Sequence, residues 1–527
     1  MRSSIRCLFA AAVLLVAAAA PGVLGAQGTR LGALRFPNSG APAAQRPFIR
    51  GVLLLHSFEY PAAATAFREA QKADPGFALA YWGEAMTWTH PVWNQQNVDS
   101  ARAVLQRLAP TQEARRVKAH TRREQEYLEA VETLYGEGPK ARRDTLYCAA
   151  MERLSAAHPE DLEAEAFYAL ALLGLSQGTR NVPTYIRAGV LAEDVFRKNP
   201  NHPGAAHYII HAFDDPVHAP LGLRAARAYS KIAPDAPHAQ HMTSHIFVAL
   251  GMWDETVAAN VIASGPDPGS WPPGHYTAWL DYGYLEQGRP DEARRLIETT
   301  RPNLGDPPKV GRRLYLLDMR AQYLVNSGRW DDSITTWPVS REDVDSAELG
   351  VDAFALGYAA LQRGDRAAAD SLLRELVVLA KPASTGDRYG ATPGVLPILE
   401  KELRALLRLA DSAPDEALAL LREAAALEDA LPVEFGPPEV VKPSHELLGE
   451  VLLGMRRPAE AQREFVRALA LAPRRSLSLL GLARSARAAG DQETAVQASA
   501  DLRRVWHAAE PGLPGLAEVS GVSSSAH

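Results

Sequence analysis

The 527-residue sequence predicts an all-α solenoid of antiparallel helical hairpins, stacked into a superhelix with a concave groove. Two observations carry this. One set of small and large residues recurs at fixed spacing near both ends of the chain, and proline and glycine punctuate the sequence at the intervals helical hairpins require. The composition agrees, since 47 % hydrophobic and 22 % charged residues are ordinary for a folded chain and not for a disordered one.

Residues 1–26 read as a signal peptide. Arg2 and Arg6 form its positive start, residues 8–20 an apolar run too short to span a bilayer comfortably, and Pro21-Gly22 a break before the small residues that end at Ala26. A periplasmic or secreted protein follows, with no membrane span after cleavage; a retained N-terminal anchor is the alternative. With Cys7 removed, Cys148 is the remaining cysteine and has no intramolecular partner. It lies in the apolar pattern Leu146, Cys148, Met151, Leu154, which makes it a core residue. The net charge of −6 becomes −8 when the two leader arginines are lost. Phosphate contacts need clustered Lys and Arg, so no nucleic acid is expected as a partner.

A linker over 27–44 leads into repeats over 45–95. There Gly51, Leu54, Ala63, Phe67, Ala70 and Pro75 show the same spacings as Gly449, Leu452, Ala461, Phe465, Ala468 and Pro473 in the C-terminal repeats, 444–510. Small residues let two antiparallel helices approach, the aromatic fills the gap between them, and the proline ends the second helix. Residues 96–200 read as longer, irregular helices. Repeats return over 201–305 and 306–380, with turn signals at Gly251-Met252-Trp253-Asp254-Glu255 and Gly328-Arg329-Trp330-Asp331-Asp332. Residues 381–443 read as helices with Pro/Gly-rich loops, and 511–527 as a disordered tail. The breaks at 264–274, 381–397 and 431–443 are too long for inter-helix turns and read as loops that cross or cap the groove.

These spacings resemble the tetratricopeptide repeat (TPR), a unit of about 34 residues. Three stretches, 81–90, 202–255 and 436–461, make the chain similar to bacterial exported tetratricopeptide-repeat proteins, a resemblance that implies fold and export and carries no assigned activity. In that family, positions two, five, nine and twelve of the first helix face the groove. The resemblance places Glu84, His207, His211, Asp214, His238, His241, His245, His275 and Tyr282 at such positions. Family members that clamp chaperone tails use Lys and Asn there, so that partner does not transfer.

Seven of the fifteen histidines lie between 202 and 245. His207/His211 and His241/His245 are both i,i+4 pairs, a spacing that brings two imidazoles to one face of a helix. Two chemistries fit. In one, a binding scaffold grips a protein, peptide or polar small ligand in the groove. In the other, His207, His211, His241 and His245 hold a divalent metal such as zinc, with Asp214 or Asp215 as a further ligand or ring-orienting group, in a metal-binding protein or metal-dependent enzyme. His202 and His218 sit beside turn prolines and read as helix-start chemistry. No P-loop or dinucleotide fingerprint occurs. Tyr208 and Met242 stand where a His-Glu-x-x-His motif would have its glutamate. The sequence thus leans away from catalysis.

Overall fold

The computed structural model describes residues 30–176, 180–381, 394–433 and 435–520. The segment read as a signal peptide, most of the 381–397 break and residues 521–527 lie outside the described residues. The chain is an all-α repeat solenoid, with 25 α-helices and one two-stranded ribbon, Thr89–His90 against Gln95–Gln96, among the described residues. No helix among the described residues is long and apolar enough to cross a membrane.

The repeated residues do what their sizes require. Phe67, fully buried on the helix Tyr60–Ala73, lies between Gly51 of the preceding helix and Gly83 of the following one. A Cβ at Gly51 would stand 2.7 Å from the ring, and one at Gly83 would overlap it. Near the C-terminus, Phe465 is wedged in the same way between Gly449 and Gly481. Each aromatic locks three consecutive helices, so one hairpin is pinned to the next. Proline at the first helical position starts Pro42–His56, Pro203–Phe213, Pro237–Ala249 and Pro458–Leu471, where its missing N–H costs nothing. At the Pro237–Ala249 turn, Gly251 takes a left-handed φ of 62°.

Three regions differ from the sequence reading. The segment 30–41 is not a free linker: Leu31 and Phe36 are buried, and Phe36 packs against Phe48, Trp82 and Tyr127. The turn at Gly328 opens no second helix. After Val310–Ser327 the chain makes a short 3-10 turn, Ser333–Thr336, and reaches Ser346–Gln362 without a further helix. Pro338 blocks helix continuation, and Trp337 instead sits under the guanidinium groups of Arg294 and Arg301. Within the tail, residues 511–520 pack on the fold through a short helix, Leu516–Ser520, with Val519 buried against the core.

The superhelix closes on itself twice. In the N-terminal half, Pro42–His56 packs against Pro203–Phe213, and the Ala33 N–H donates to the Asn201 carbonyl at 2.9 Å. In the C-terminal half, Trp253 Nε1 donates to the Arg474 carbonyl at 3.1 Å, and the Glu510 N–H to the Gly288 carbonyl at 2.9 Å. Each closure turns inner-wall positions into interior.

Candidate metal centre

Three helices carry the histidines. Pro203–Phe213 presents His207 and His211, Pro237–Ala249 presents His238, His241 and His245, and His275–Glu286 begins with His275. All but His275 are buried. The expected groove is therefore filled here. Phe58, from the turn after the first helix, lies 4.2 Å from the His207 ring and reaches His211 and His238 at 5.8 and 5.6 Å. It does so with a left-handed φ of 54°, uncommon for a bulky residue and worth about 1–3 kcal/mol of local strain. From the other side Phe435, on the loop over 431–443, stacks on His245 at 4.7 Å and meets His211 edge-on. That loop does reach the histidines.

The rings sort into two triads. The donor atoms of His207, His211 and His238 lie within 4.8 Å of one another, and so do those of His241, His245 and His275. Among the described residues, no group assembled on that criterion contains His207, His211, His241 and His245 together, the set expected from the i,i+4 spacing. The pairs belong to successive repeats, and each recruits its third ring from a different element.

In the first triad four of the six ring nitrogens are buried without partners. His207 Nδ1 lies 2.7 Å from the His56 carbonyl and so carries the proton, leaving a lone pair on Nε2. His207 Nε2, both ring nitrogens of His211 and His238 Nε2 are buried and lack hydrogen-bond partners among the described residues. Orphaned buried nitrogens are costly, and three rings of them converge here, offering the kind of donors a metal ion takes. Burial and the neighbouring histidines push the His207 and His238 imidazoles well below their ordinary pKa, which keeps them neutral and able to ligate.

Asp214 stands between the triads. Its Oδ2 lies 3.0 Å from His245 Nδ1 and 3.4 Å from His211 Nδ1, and its Oδ1 accepts from Arg180 at 2.7 Å. The 3.4 Å approach is an ion-pair contact too long for a good hydrogen bond, so His211 counts as unpartnered. Burial opposes the Asp214 charge, but Arg180 and the two histidines outweigh it and hold the carboxyl far below its usual range. Asp215 pairs with Arg180 and accepts from His218 at 2.9 Å, so it orients these groups from outside the triads. Burial also lowers His241 and His245, the latter against the pull of Asp214, and brings His275 down to about 3.

Two expected site residues lie elsewhere. Glu84 is buried in an ionic cluster, accepting from Arg68 Nε at 2.7 Å, from Gln71 Nε2 at 2.6 Å and from Arg107. The Tyr282 hydroxyl accepts from Arg475 at 3.2 Å in the C-terminal closure. His202 shares Glu163 with His56. Glu163 Oε2 lies 2.7 Å from His56 Nε2, its Oε1 3.1 Å from His202 Nε2, and the carboxyl is held down to about 2 because these histidines outweigh its burial. That cluster is fully hydrogen-bonded and sets the His56 carbonyl under His207. Sequence reasoning missed His56, Phe58, Arg180 and Asn260 as site groups. Each is far in sequence from the ring it touches or lies on a neighbouring helix, and none carries a local signal.

No protein-family model and no curated protein matches this chain. Solved structures with a similar course of helices include the human IFIT1 dimer with m7Gppp-AAAA, 13% identical over 90% of this chain and 91% of that one, TM-score 0.36. Yeast Tom70 is 13% identical over 85% and 96%, TM-score 0.37, and the APC/C hetero-tetramer Cut9-Hcn1 is 13% identical over 85% and 78%, TM-score 0.35. Similarity at this level transfers no ligand or partner.

Proposed function

We propose that this chain is a helical-repeat scaffold that binds a divalent transition-metal ion at His207, His211 and His238. The observation that carries this is the set of orphaned, buried ring nitrogens on three converging imidazoles. Neutral imidazole suits zinc, copper, nickel or iron, and a three-histidine set leaves a coordination position open, as catalytic sites do. The His56 carbonyl fixes the His207 tautomer with Nε2 toward the other rings, the usual role of a group behind a metal ligand. Phe58 and Tyr229 pack on the His207 ring and keep its surroundings dry.

Gripping of a protein, peptide or polar ligand belongs, on this reading, to surfaces other than the histidine wall, because Phe58 and Phe435 cover that wall. A net charge of −6 does not by itself exclude nucleic acid, which binds local clusters of Lys and Arg. Export is part of the proposal and is supported by the apolar leader after Arg2 and Arg6; N-terminal sequencing of the protein from its native host tests it. For the metal, mass-spectrometric analysis of untagged protein supplied with zinc, copper, nickel or iron is expected to give near-stoichiometric ion, lost in His207→Ala and in His238→Ala. Metal-free wild type, folded by circular dichroism, would refute the reading.

A further inference from the structure

We infer that the second triad, His241, His245 and His275, is a metal site in its own right, so that the chain holds two ions side by side. This rests on the reading of the first triad for the idea of a paired centre, but its own support is separate.

Hydrogen bonding fixes both tautomers in the second triad. Asn260 Nδ2 donates to the Thr256 carbonyl at 2.9 Å, which turns Asn260 Oδ1 toward His241 Nδ1 at 2.7 Å. An amide oxygen only accepts, so His241 carries its proton on Nδ1. His245 Nδ1 faces the Asp214 carboxylate at 3.0 Å and carries its proton there for the same reason. Both lone pairs then sit on Nε2, and the two Nε2 atoms face each other at 3.2 Å. Two lone pairs at that distance repel unless something positive lies between them. Tetrahedral zinc with Zn–N bonds of about 2.0–2.1 Å sets its ligand nitrogens roughly 3.3–3.4 Å apart, close to the separation seen. His275 supplies the third donor, its ring 4.4 Å from His241.

The two triads are joined. His211 of the first and His245 of the second have ring centroids 5.5 Å apart, and with Asp214 they form a further group of donors within 4.8 Å of one another. One carboxylate thus faces a histidine of each triad, and Arg180 anchors it. Six imidazoles and one carboxylate present oxygen and nitrogen donors without a thiolate, a set for zinc, copper(II), nickel or iron. Trp279 and Phe435 stack on the two faces of the second site, at 4.6 and 4.7 Å from His245, and shield it from bulk water.

The test is the metal stoichiometry of the full chain, titrated with cobalt(II) and read by its visible absorption and by mass spectrometry, with folding checked by circular dichroism. Wild type is expected to take two ions, His275→Ala one, His238→Ala one, and the double variant none. His275 is the least buried ligand, so its loss is the least disruptive to folding. As a second readout, copper(II) in wild type is expected to show dipolar broadening in electron paramagnetic resonance that His275→Ala removes. One ion in wild type, lost in His238→Ala and kept in His275→Ala, overturns this inference and leaves the first site standing; a proton shared between His241 and His245 is then the alternative. One ion lost in His275→Ala and kept in His238→Ala overturns the first site instead, and no ion overturns both.

Discussion

Replacing Arg475 by methionine is expected to open the C-terminal half of the superhelix. Arg475 is fully buried and is the hub of the closure. Its Nε and Nη2 donate to both oxygens of Glu446 at 2.8 and 3.0 Å, its Nη1 to Glu286 at 3.0 Å, and its Nη2 to Asn326 at 2.6 Å. Methionine fills similar space but leaves two carboxylates with less compensation. Glu446 keeps Lys442 at 2.9 Å, whereas Glu286 keeps only the Ser476 N–H at 2.6 Å and the Tyr282 hydroxyl beside it. Removing one partner of a buried ion pair costs about 3–5 kcal/mol. The sign with pH follows from Glu286, whose carboxyl burial already raises above its ordinary 4.5 against the pull of Arg475. Without Arg475 it rises further, and a raised carboxyl stabilises the fold while protonated and loses that contribution as pH climbs through its folded pKa. The variant's deficit should therefore be larger at pH 8 than at pH 5. Glu446 in wild type behaves oppositely. Held down to about 2 by Arg475 and Lys442 despite burial, it stabilises above 4.5 and loses that contribution as pH falls toward 2. Hydrogen exchange by mass spectrometry on His275–Glu286 and Ser476–Ala489, corrected for intrinsic rates, measures this. Unchanged protection in the variant, or a greater loss at pH 5 than at pH 8, would refute the reasoning.

Phe465→Ala should destabilise the helices around it by about 3–5 kcal/mol, because the glycine backbones on either side limit collapse into the space left. Gly481→Ala should destabilise wild type by overlap with the ring yet be tolerated in Phe465→Ala; additive effects in that double-mutant cycle, read by exchange in Ser444–Gly454, would count against the wedge. Glu84→Gln should weaken the N-terminal repeats by about 1–2 kcal/mol, kept small by half-exposed Arg68 and Arg107, and leave metal content unchanged; a change in metal content would return Glu84 to the site. Asp214→Asn should lower zinc affinity by about 10–100-fold in a chelator competition, since Asp214 orients His245 and sets its negative charge beside His211, and unaltered affinity would remove that role.

Much of the site's raw material was legible in the sequence. The i,i+4 spacing put His207 beside His211 and His241 beside His245, and the rings are 4.9 and 5.1 Å apart. The third ring of each triad reads from the sequence only as a groove residue, because His238 and His275 gain their meaning from neighbouring elements. Arg180 and Asn260 could not be found by pattern, since nothing in their own neighbourhood distinguishes them from any buried arginine or helix asparagine, whereas Phe435 lies in a Pro/Gly-rich break legible as a loop over the groove.

What the sequence determined by itself is local and periodic. The Gly51/Phe67/Gly83 spacing settles how one hairpin stacks on the next, because helical register and side-chain volume act over a few turns. What only the tertiary structure decided is closure. Whether positions facing the inner wall meet water or meet protein depends on contacts such as His207 with His56, 151 residues away, and Arg475 with Glu286, 189 residues away. Small rotations between successive hairpins accumulate along the solenoid, and their sum is what brings those residues together. That sum turned a row of groove histidines into a buried nitrogen cluster, and it is not written in any single repeat.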